Sequence, residues 1–504
     1  LSTLKKFAGQ TLVYGLSTIL ARVMNFIMTP LFAKVYEASK YGIFTYLYSA
    51  AAMLNAFLAF GMETTFFRYL QKREREKEKV YGNTFLIILL TSLLLLLSFF
   101  IFFNPIASYL QQQFDDPDLE LYLKYFVLIM IADALAVIPF ARIRAEGRPG
   151  RYAFIKLTNI TIYIGLNLIF MIAIPEAIAR HAPWGIAEWL IVWYKGGWVG
   201  YVFIANLAAS TITLILLLPE LLQLRIQPDR RLILDMLGYS FPILIANFSF
   251  IINENLDKLL LKALLPADTG IRDVGIYGMC SKLAIFMSVA VQAFRLGAEP
   301  FFFSHAKEKN AGTTYANIMD YLIIAMALGM VGLVANIEWL KFFIRGGTAA
   351  AREEYWSGLP VVPVLLMAYV CLGIYMNLSV WYKLSDQTRF GLYISVVGAV
   401  VTIVLNLTLI PHFGYMASAW ITLATYASMM VLSYVLGQKN YPIPYHLLKN
   451  CFYLFSAALL SWISFSIFNR SLWIGNLLFL FFAAVVYRLE GKKLLQLMRG
   501  KEII

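Results

Sequence analysis

Apolar runs of about 20 residues recur along this chain from end to end, separated by short polar stretches. A helix of that length crosses a hydrocarbon core of about 30 Å. The runs predict about fourteen spans, near residues 10–33, 41–68, 82–104, 121–143, 152–174, 198–219, 234–265, 274–303, 316–344, 358–382, 390–410, 414–436, 446–468 and 472–488. The alternation of apolar and polar residues that marks a membrane β-barrel is not the pattern here. One stretch stands apart. Phe241–Leu265 (FPILIANFSFIINENLDKLLLKALL) is apolar enough to cross a bilayer, yet its outer half carries Asn253, Glu254, Asn255, Asp257, Lys258 and Lys262. Charges at membrane depth are costly and face a polar interior rather than lipid. On a helix, Asn247, Ile251, Glu254 and Lys258 share a face, and Glu254, Lys258 and Lys262 form an i, i+4 ladder. The alternative is an interfacial end with snorkelling lysines, which suits Lys262 better than the short Glu254 and Asp257.

Composition agrees with the pattern. Of 504 residues, 60% are hydrophobic and 14% charged, with a mean hydropathy of +0.70. This is an all-α polytopic membrane protein. The net charge of +13 would suggest nucleic acid in a soluble chain. In a membrane protein it reflects cytoplasmic loops that collect Lys and Arg, so no nucleic-acid partner is expected. Lys72, Arg73, Arg75, Lys77 and Lys79 follow span two; Arg142, Arg144, Arg148 and Arg151 follow span four; Arg225, Arg230 and Arg231 follow span six. The tail holds Lys492, Lys493, Arg499 and Lys501, and an opposite loop holds Asp115, Asp116 and Asp118. Both termini are therefore expected in the cytoplasm, with Arg345 and Arg352 as exceptions on the outside. No cleavable signal peptide is expected before the first span. The longest loop, near 175–197, is rich in Trp and reads as a segment lying on the outer leaflet.

Cys280, Cys371 and Cys451 lie singly in apolar runs, and the four histidines are scattered, so neither a disulfide nor a metal site is expected. No G-x-x-x-x-G-K-[ST] loop is present to bind a nucleotide. No cofactor and no catalytic residues are expected.

The chain also repeats itself. Gly61-Met62-Glu63-Thr64-Thr65-Phe66-Phe67 and Gly297-Ala298-Glu299-Pro300-Phe301-Phe302-Phe303 both read G-x-E-x-x-F-F, 236 residues apart. Tyr41-Gly42-Ile43-Phe44 matches Val274-Gly275-Ile276-Tyr277 at an offset of 233, and Asn167 matches Asn406 at 239. Two six-helix halves with parallel topology follow, around an axis along the membrane normal. The expected lobes are 1–231 (spans one to six) and 232–440 (spans seven to twelve), with 441–504 adding two spans and a cytoplasmic tail.

A rise of about 1.5 Å per residue sets depth. Arg22 and Asp133 fall near mid-membrane, and Arg22, Asn25 and Thr29 share a face. Glu254, Asp257 and Lys258 lie in the outer third, level with Lys282. Lys156 lies toward the inside, and Arg295, Glu299, Glu63 and Arg68 at the inner ends of spans eight and two. Arg22, Lys156, Lys258 and Lys282 would give a cavity a positive field suited to phosphate or acidic sugar. Asn25, Asp133, Glu254 and Asp257 would be its polar or coupling groups. Glu63, Arg68, Arg295 and Glu299 would pair as a cytoplasmic gate. The competing view is that each charge only ties neighbouring helices together, as Arg22 with Asp133.

Ala21-Arg22-Val23-Met24-Asn25-Phe26, Thr29-Pro30-Leu31-Phe32-Ala33, Tyr41-Gly42 and Gly61 through Tyr69 resemble the polysaccharide transporter family. So does Leu256-Asp257-Lys258-Leu259-Leu260-Leu261 followed by Val274-Gly275-Ile276-Tyr277. This family of Wzx-type flippases belongs to the MOP superfamily with the lipid II flippases and MATE exporters. The likeness covers nearly the whole chain, with motifs that mark the superfamily better than the substrate. It implies a two-lobed V-shaped fold and alternating access. It implies movement of an undecaprenyl-pyrophosphate-linked oligosaccharide, an O-antigen, exopolysaccharide or capsule repeat unit, across a bacterial inner membrane. Membrane lipids are then partners, and glycan polymerases or glycosyltransferases follow by analogy only. Arg22 matches a cavity arginine of lipid II flippases, while Met28 replaces their second one, which argues against a peptidoglycan precursor. The alternative is a cation-coupled multidrug exporter of the MATE kind, but span one lacks the acid such exporters commonly carry there. A membrane enzyme acting on the same lipid-linked sugars would need a catalytic outer loop. The outer loops offer only His181 and a few charges.

Overall fold

The computed structural model describes residues 20, 23, 24, 26–114, 116–181, 186–305, 308, 310–385 and 387–498. Every regular element among them is helical, as lipid demands of a chain that must satisfy its own backbone groups. The order is α1 (Thr29–Val35), α2 (Ala38–Ala59), α3 (Met62–Lys72), α4 (Lys77–Gln113), α5 (Leu119–Ala145) and α6 (Pro149–Leu168), which runs on through a π turn to Ala179. Then come α7 (Ile186–Trp193), α8 (Gly200–Leu216), α9 (Leu218–Leu222), α10 (Arg230–Leu264) and α11 (Ala267–His305). The remainder holds α12 (Ala311–Ala335), α13 (Val361–Leu378), α14 (Val380–Leu384), α15 (Arg389–Asn440), α16 (Leu447–Trp462) and α17 (Leu472–Met498).

Eleven helical stretches among the described residues are long and apolar enough to cross a membrane, against about fourteen expected spans. Three differences account for this. The first expected span falls largely outside the described residues. α8 has 17 residues, a little short. α15 is two helices joined at Gly414, whose φ of 55° and ψ of −142° only glycine adopts without strain. Pro411 precedes it, so the break falls between the expected eleventh and twelfth spans. The second expected span is also broken. Phe60 and Gly61 both have left-handed backbone, ending α2 and starting α3 as a separate helix that carries Glu63. The matching G-x-E-x-x-F-F of the second half sits inside continuous α11.

The most apolar helix, α4, is mostly exposed along its apolar length. Leu94, Leu97, Phe100 and Phe102 point outward, as lipid-facing side chains should. The chain forms two compact units, Leu1–Gly278 with Gly346–Thr348, and Met279–Arg345 with Ala349–Ile504. In the first unit α10 packs along α2, and α5, α6 and α8 pack on one another. In the second, α13 packs against α15, and α12 against α16 and α17.

Candidate functional site: a polar cavity in the first unit

Three helices of the first unit turn polar stripes toward one space. α5 presents Asp133, Val137, Phe140 and Arg144; α6 presents Tyr152, Lys156 and Asn159; α8 presents Asn206, Ser210 and Thr213. Steps of three and four residues keep each set on one helix face. With Glu63 from α3 they line a cavity of about 330 Å³.

The polar groups are cross-linked between helices. Ser210 Oγ donates to Asp133 Oδ1 at 2.7 Å. Asn159 Nδ2 donates to Thr213 Oγ1 at 2.9 Å, and Asn206 Nδ2 to the Tyr48 hydroxyl at 2.6 Å. Lys156 Nζ lies 4.3 Å from the centre of the Phe140 ring and feels the charges of Asp133 and Glu63. Its ammonium has no protein hydrogen-bond acceptor among the described residues. Glu63 pairs with Arg144, whose guanidinium also sits 5.1 Å from the Phe67 ring. Arg144 Nε is buried without a partner. The cavity thus holds two charges of each sign.

Below Arg144 the α5–α6 connection is an ion-pair network. Arg142 bonds Glu78 and Glu146. Arg148 and Arg151 converge on Glu220, which is only 2% exposed. Burial works to raise the Glu146 carboxyl, but hydrogen bonds from Arg142 and Arg148 outweigh it and hold the group below the usual range. At the start of α10, Asp229 accepts from the backbone N–H of Arg231 and Leu232 and pairs with Lys79 at 2.8 Å. Those bonds, Lys79 first, lower its pKa to about 2.

Of the other expected site residues, Arg22 and Asn25 lie outside the described residues, as does the side chain of Glu299. Lys258 Nζ donates to Asp257 Oδ1 at 2.8 Å and to the Glu254 carbonyl at 2.7 Å, so the outer charges of α10 satisfy one another in part. Asp257 is buried. Lys282 and Arg295 belong to the second unit, where Arg295 lines a narrow cleft with Asn377 and Lys383. Arg68 stacks 4.0 Å over the Tyr239 ring, while Glu63 pairs with Arg144 across from α5. Asp133, Lys156 and Glu63 are therefore brought together in one place. Arg144, Asn159, Asn206, Ser210 and Thr213 were not expected there; their spacing of three and four along consecutive spans is the signal that points to them. Among the described residues no group of three His, Cys, Asp or Glu side chains is placed to hold a metal.

Residues 7–144 match the family described as "Polysaccharide biosynthesis protein". A stretch of 186 residues, 36% of this chain, is 22% identical to the Lsg locus putative protein 1 of Haemophilus influenzae (strain ATCC 51907 / DSM 11121 / KW20 / Rd), and the match spans 45% of that relative. The fold is similar to the lipid II flippase MurJ in an inward closed conformation, with a TM-score of 0.71 at 14% identity, covering 95% of this chain and 99% of that one. It is also similar to an inward-facing multidrug resistance MATE family transporter of the MOP superfamily, with a TM-score of 0.61 at 13% identity over 87% of this chain and 95% of that one. The two solved structures are a flippase and a transporter. This multi-pass membrane protein thus shares its fold with a lipid II flippase and a MATE transporter over most of its length, and its residues 7–144 match a family of polysaccharide biosynthesis proteins.

Proposed function

We infer that this protein is a flippase for an undecaprenyl-pyrophosphate-linked oligosaccharide, moving it from the inner to the outer leaflet of a bacterial inner membrane by alternating access. The carrying observation is the polar cavity sunk among the membrane helices of the first unit, lined by Asp133, Lys156, Asn206 and Ser210. A glycan dragged through hydrocarbon would leave many hydroxyls unsatisfied, at several kcal/mol each. A wet polar interior removes that cost while the prenyl tail stays in lipid. The halves 1–231 and 232–440 are the moving repeats in this reading, with 441–504 an addition beside them. Arg22, Lys258 and Lys282 are proposed to meet the pyrophosphate, with Asn25, Glu254 and Asp257 beside them, and Glu63, Arg68, Arg295 and Glu299 to act at the cytoplasmic mouth. A potential negative inside favours outward movement of the anionic head group by about 2.3 kcal/mol per charge per 100 mV. The test is a leaflet assay in proteoliposomes with a fluorescent lipid-linked oligosaccharide. Exposure on the far face that is lost in Arg22→Ala supports the reading. Absence of any glycan movement, with proton- or sodium-dependent efflux of organic cations, would replace it by the MATE-type exporter.

A further inference from the structure

We propose that the cavity of the first unit is a recognition pocket for one pyranose ring of the transported glycan; this rests on the flippase reading above. Size is the first argument. About 330 Å³ lies at the lower end of the roughly 300–1,000 Å³ of small-molecule sites. It is the room of about ten waters at about 30 Å³ each. That is room enough for one sugar ring.

The lining is the second argument. A sugar hydroxyl donates once and accepts twice, so it suits a wall that offers both needs. Lys156 and the Nε of Arg144 are donors without protein acceptors. Asp133 uses only Oδ1, on Ser210, and leaves Oδ2 without a protein donor among the described residues. Phe140 and Tyr152 add an aromatic wall beside these groups, against which the C–H face of a pyranose can lie. Donors left unmet in a low-dielectric interior are costly, and a correctly placed hydroxyl recovers that cost where a misplaced one does not.

Charge is the third argument. With Glu63 and Asp133 against Arg144 and Lys156, the pocket is balanced. A phosphate would meet two carboxylates, and a lone metal cation would meet an ammonium and a guanidinium. A neutral polyol meets neither penalty. A site built from fixed hydrogen-bonding groups discriminates strongly against a ligand lacking a matching hydroxyl, so the pocket would read the identity of one sugar in the repeat unit.

Two experiments test this. The full chain in lipid nanodiscs is titrated calorimetrically with free glucose, galactose, N-acetylglucosamine and glucuronate. The expected result is binding of one sugar in preference to its epimers, weakened at least tenfold by Asn159→Leu and by the isosteric Thr213→Val, with the melting temperature of each variant retained. No binding, binding equal for all four sugars, or binding indifferent to both variants overturns the pocket. So does stabilisation by sodium or acid with no sugar dependence. In the leaflet assay, two lipid-linked glycans differing in one sugar are compared. A wild-type preference that narrows in the variants supports the pocket. Equal movement of both glycans by wild type overturns the pocket and leaves the flippase reading standing, whereas no movement of either overturns the flippase reading itself.

Discussion

Gly42 of α2 and Gly275 of α11 lie against each other where the two helices cross. A Cβ on Gly42 would stand 2.0 Å from the Ile271 carbonyl oxygen, and one on Gly275 would stand 1.8 Å from the Ala38 carbonyl oxygen. The sequence repeat that carries Gly42 onto Gly275 also carries Ala38 onto Ile271, both at an offset of 233. The two approaches are therefore the same contact made once from each copy. Thr45 and Gly278 share that offset, and a Cβ on Gly278 would meet Thr45 Cγ2 at 2.8 Å. Reciprocal contact between equivalent residues is the property of a two-fold axis. This reciprocal crossing lies near the start of both helices.

Gly42→Ala and Gly275→Ala are expected to force the two backbones apart, because the obstructing atoms are carbonyl oxygens rather than yielding side chains. Overpacking costs about 1–3 kcal/mol, so each variant should melt several degrees lower and, under the flippase reading, move the lipid-linked glycan at least tenfold more slowly. The double variant should cost less than the two singles together, since a crossing already opened has room for the second methyl. Gly165→Ala and Gly238→Ala serve as controls. Neither site has an atom within 4 Å of the added Cβ, and both should stay within about 0.5 kcal/mol of wild type. Melting curves in detergent alongside the leaflet assay decide the matter.

Hydropathy locates the helices well because a span must be apolar over its whole length. It finds the break near Gly414 too, since Pro411 and glycine punctuate it. It misses the break at Phe60, because a left-handed phenylalanine has no sequence signature. Depth arguments single out Asp133, Lys156 and Glu63 as improbable in lipid. They pass over Asn159, Ser210 and Thr213, which are ordinary in helices and gain meaning only from their neighbours. Arg144 reads as one of several loop arginines, and the ion pair to Glu63, 81 residues away, is a property of the fold alone.

Glu220 gives a test of the network beside the cavity. It is 2% exposed and takes hydrogen bonds of 2.6 and 2.8 Å from Arg151, with a longer one of 3.2 Å from Arg148. Arg151 also donates to the Leu216 carbonyl at 2.9 Å, tying α6 to the end of α8. Removing one partner of a buried pair costs about 3–5 kcal/mol, and here Arg148 remains to offset part of it. Arg151→Ala should therefore destabilise by about 2–3 kcal/mol on that scale, and Arg148→Ala by about 1 kcal/mol or less, as expected for a more exposed partner. Equal losses for the two variants in thermal unfolding would show that Arg148 carries as much of the interaction.

Asp229 sets a pH dependence. Its folded pKa of about 2 lies below the usual aspartate value of about 3.9, so its charged form favours the folded state. The contribution is complete above the unfolded value and is lost as pH falls from about 4 toward 2. Asp229→Asn should melt below wild type at pH 7, by an amount constant down to about pH 4. The two melting curves should then converge on further acidification. A difference that instead persists unchanged at pH 2.5 would assign the effect to the amide and not to the carboxylate's bonds with Lys79 and the α10 N-terminus.

The second unit holds a charge cluster whose members are far apart in sequence. Lys449 bridges Asp320 at 3.0 Å and Glu490 at 2.8 Å, joining α16 to α12 and α17. Both carboxylates are buried, and Asp320 Oδ1 and Glu490 Oε2 have no hydrogen-bond partner. His446 also contacts Asp320 at 2.9 Å, and the Tyr453 hydroxyl donates to Glu490 at 3.2 Å. One ammonium thus serves two buried acids. Lys449→Met keeps the length of the side chain and removes the charge, leaving the two buried carboxylates with only His446 and Tyr453 as polar neighbours. The loss should be about 3–5 kcal/mol. Adding Asp320→Asn and Glu490→Gln removes the uncompensated charge, so the triple variant should be more stable than the single one. That order, read from thermal unfolding, distinguishes a role for the charge from a role for the lysine stem. If the triple variant is no better than Lys449→Met, the loss lies in packing, because neutral partners would already have relieved the electrostatic cost.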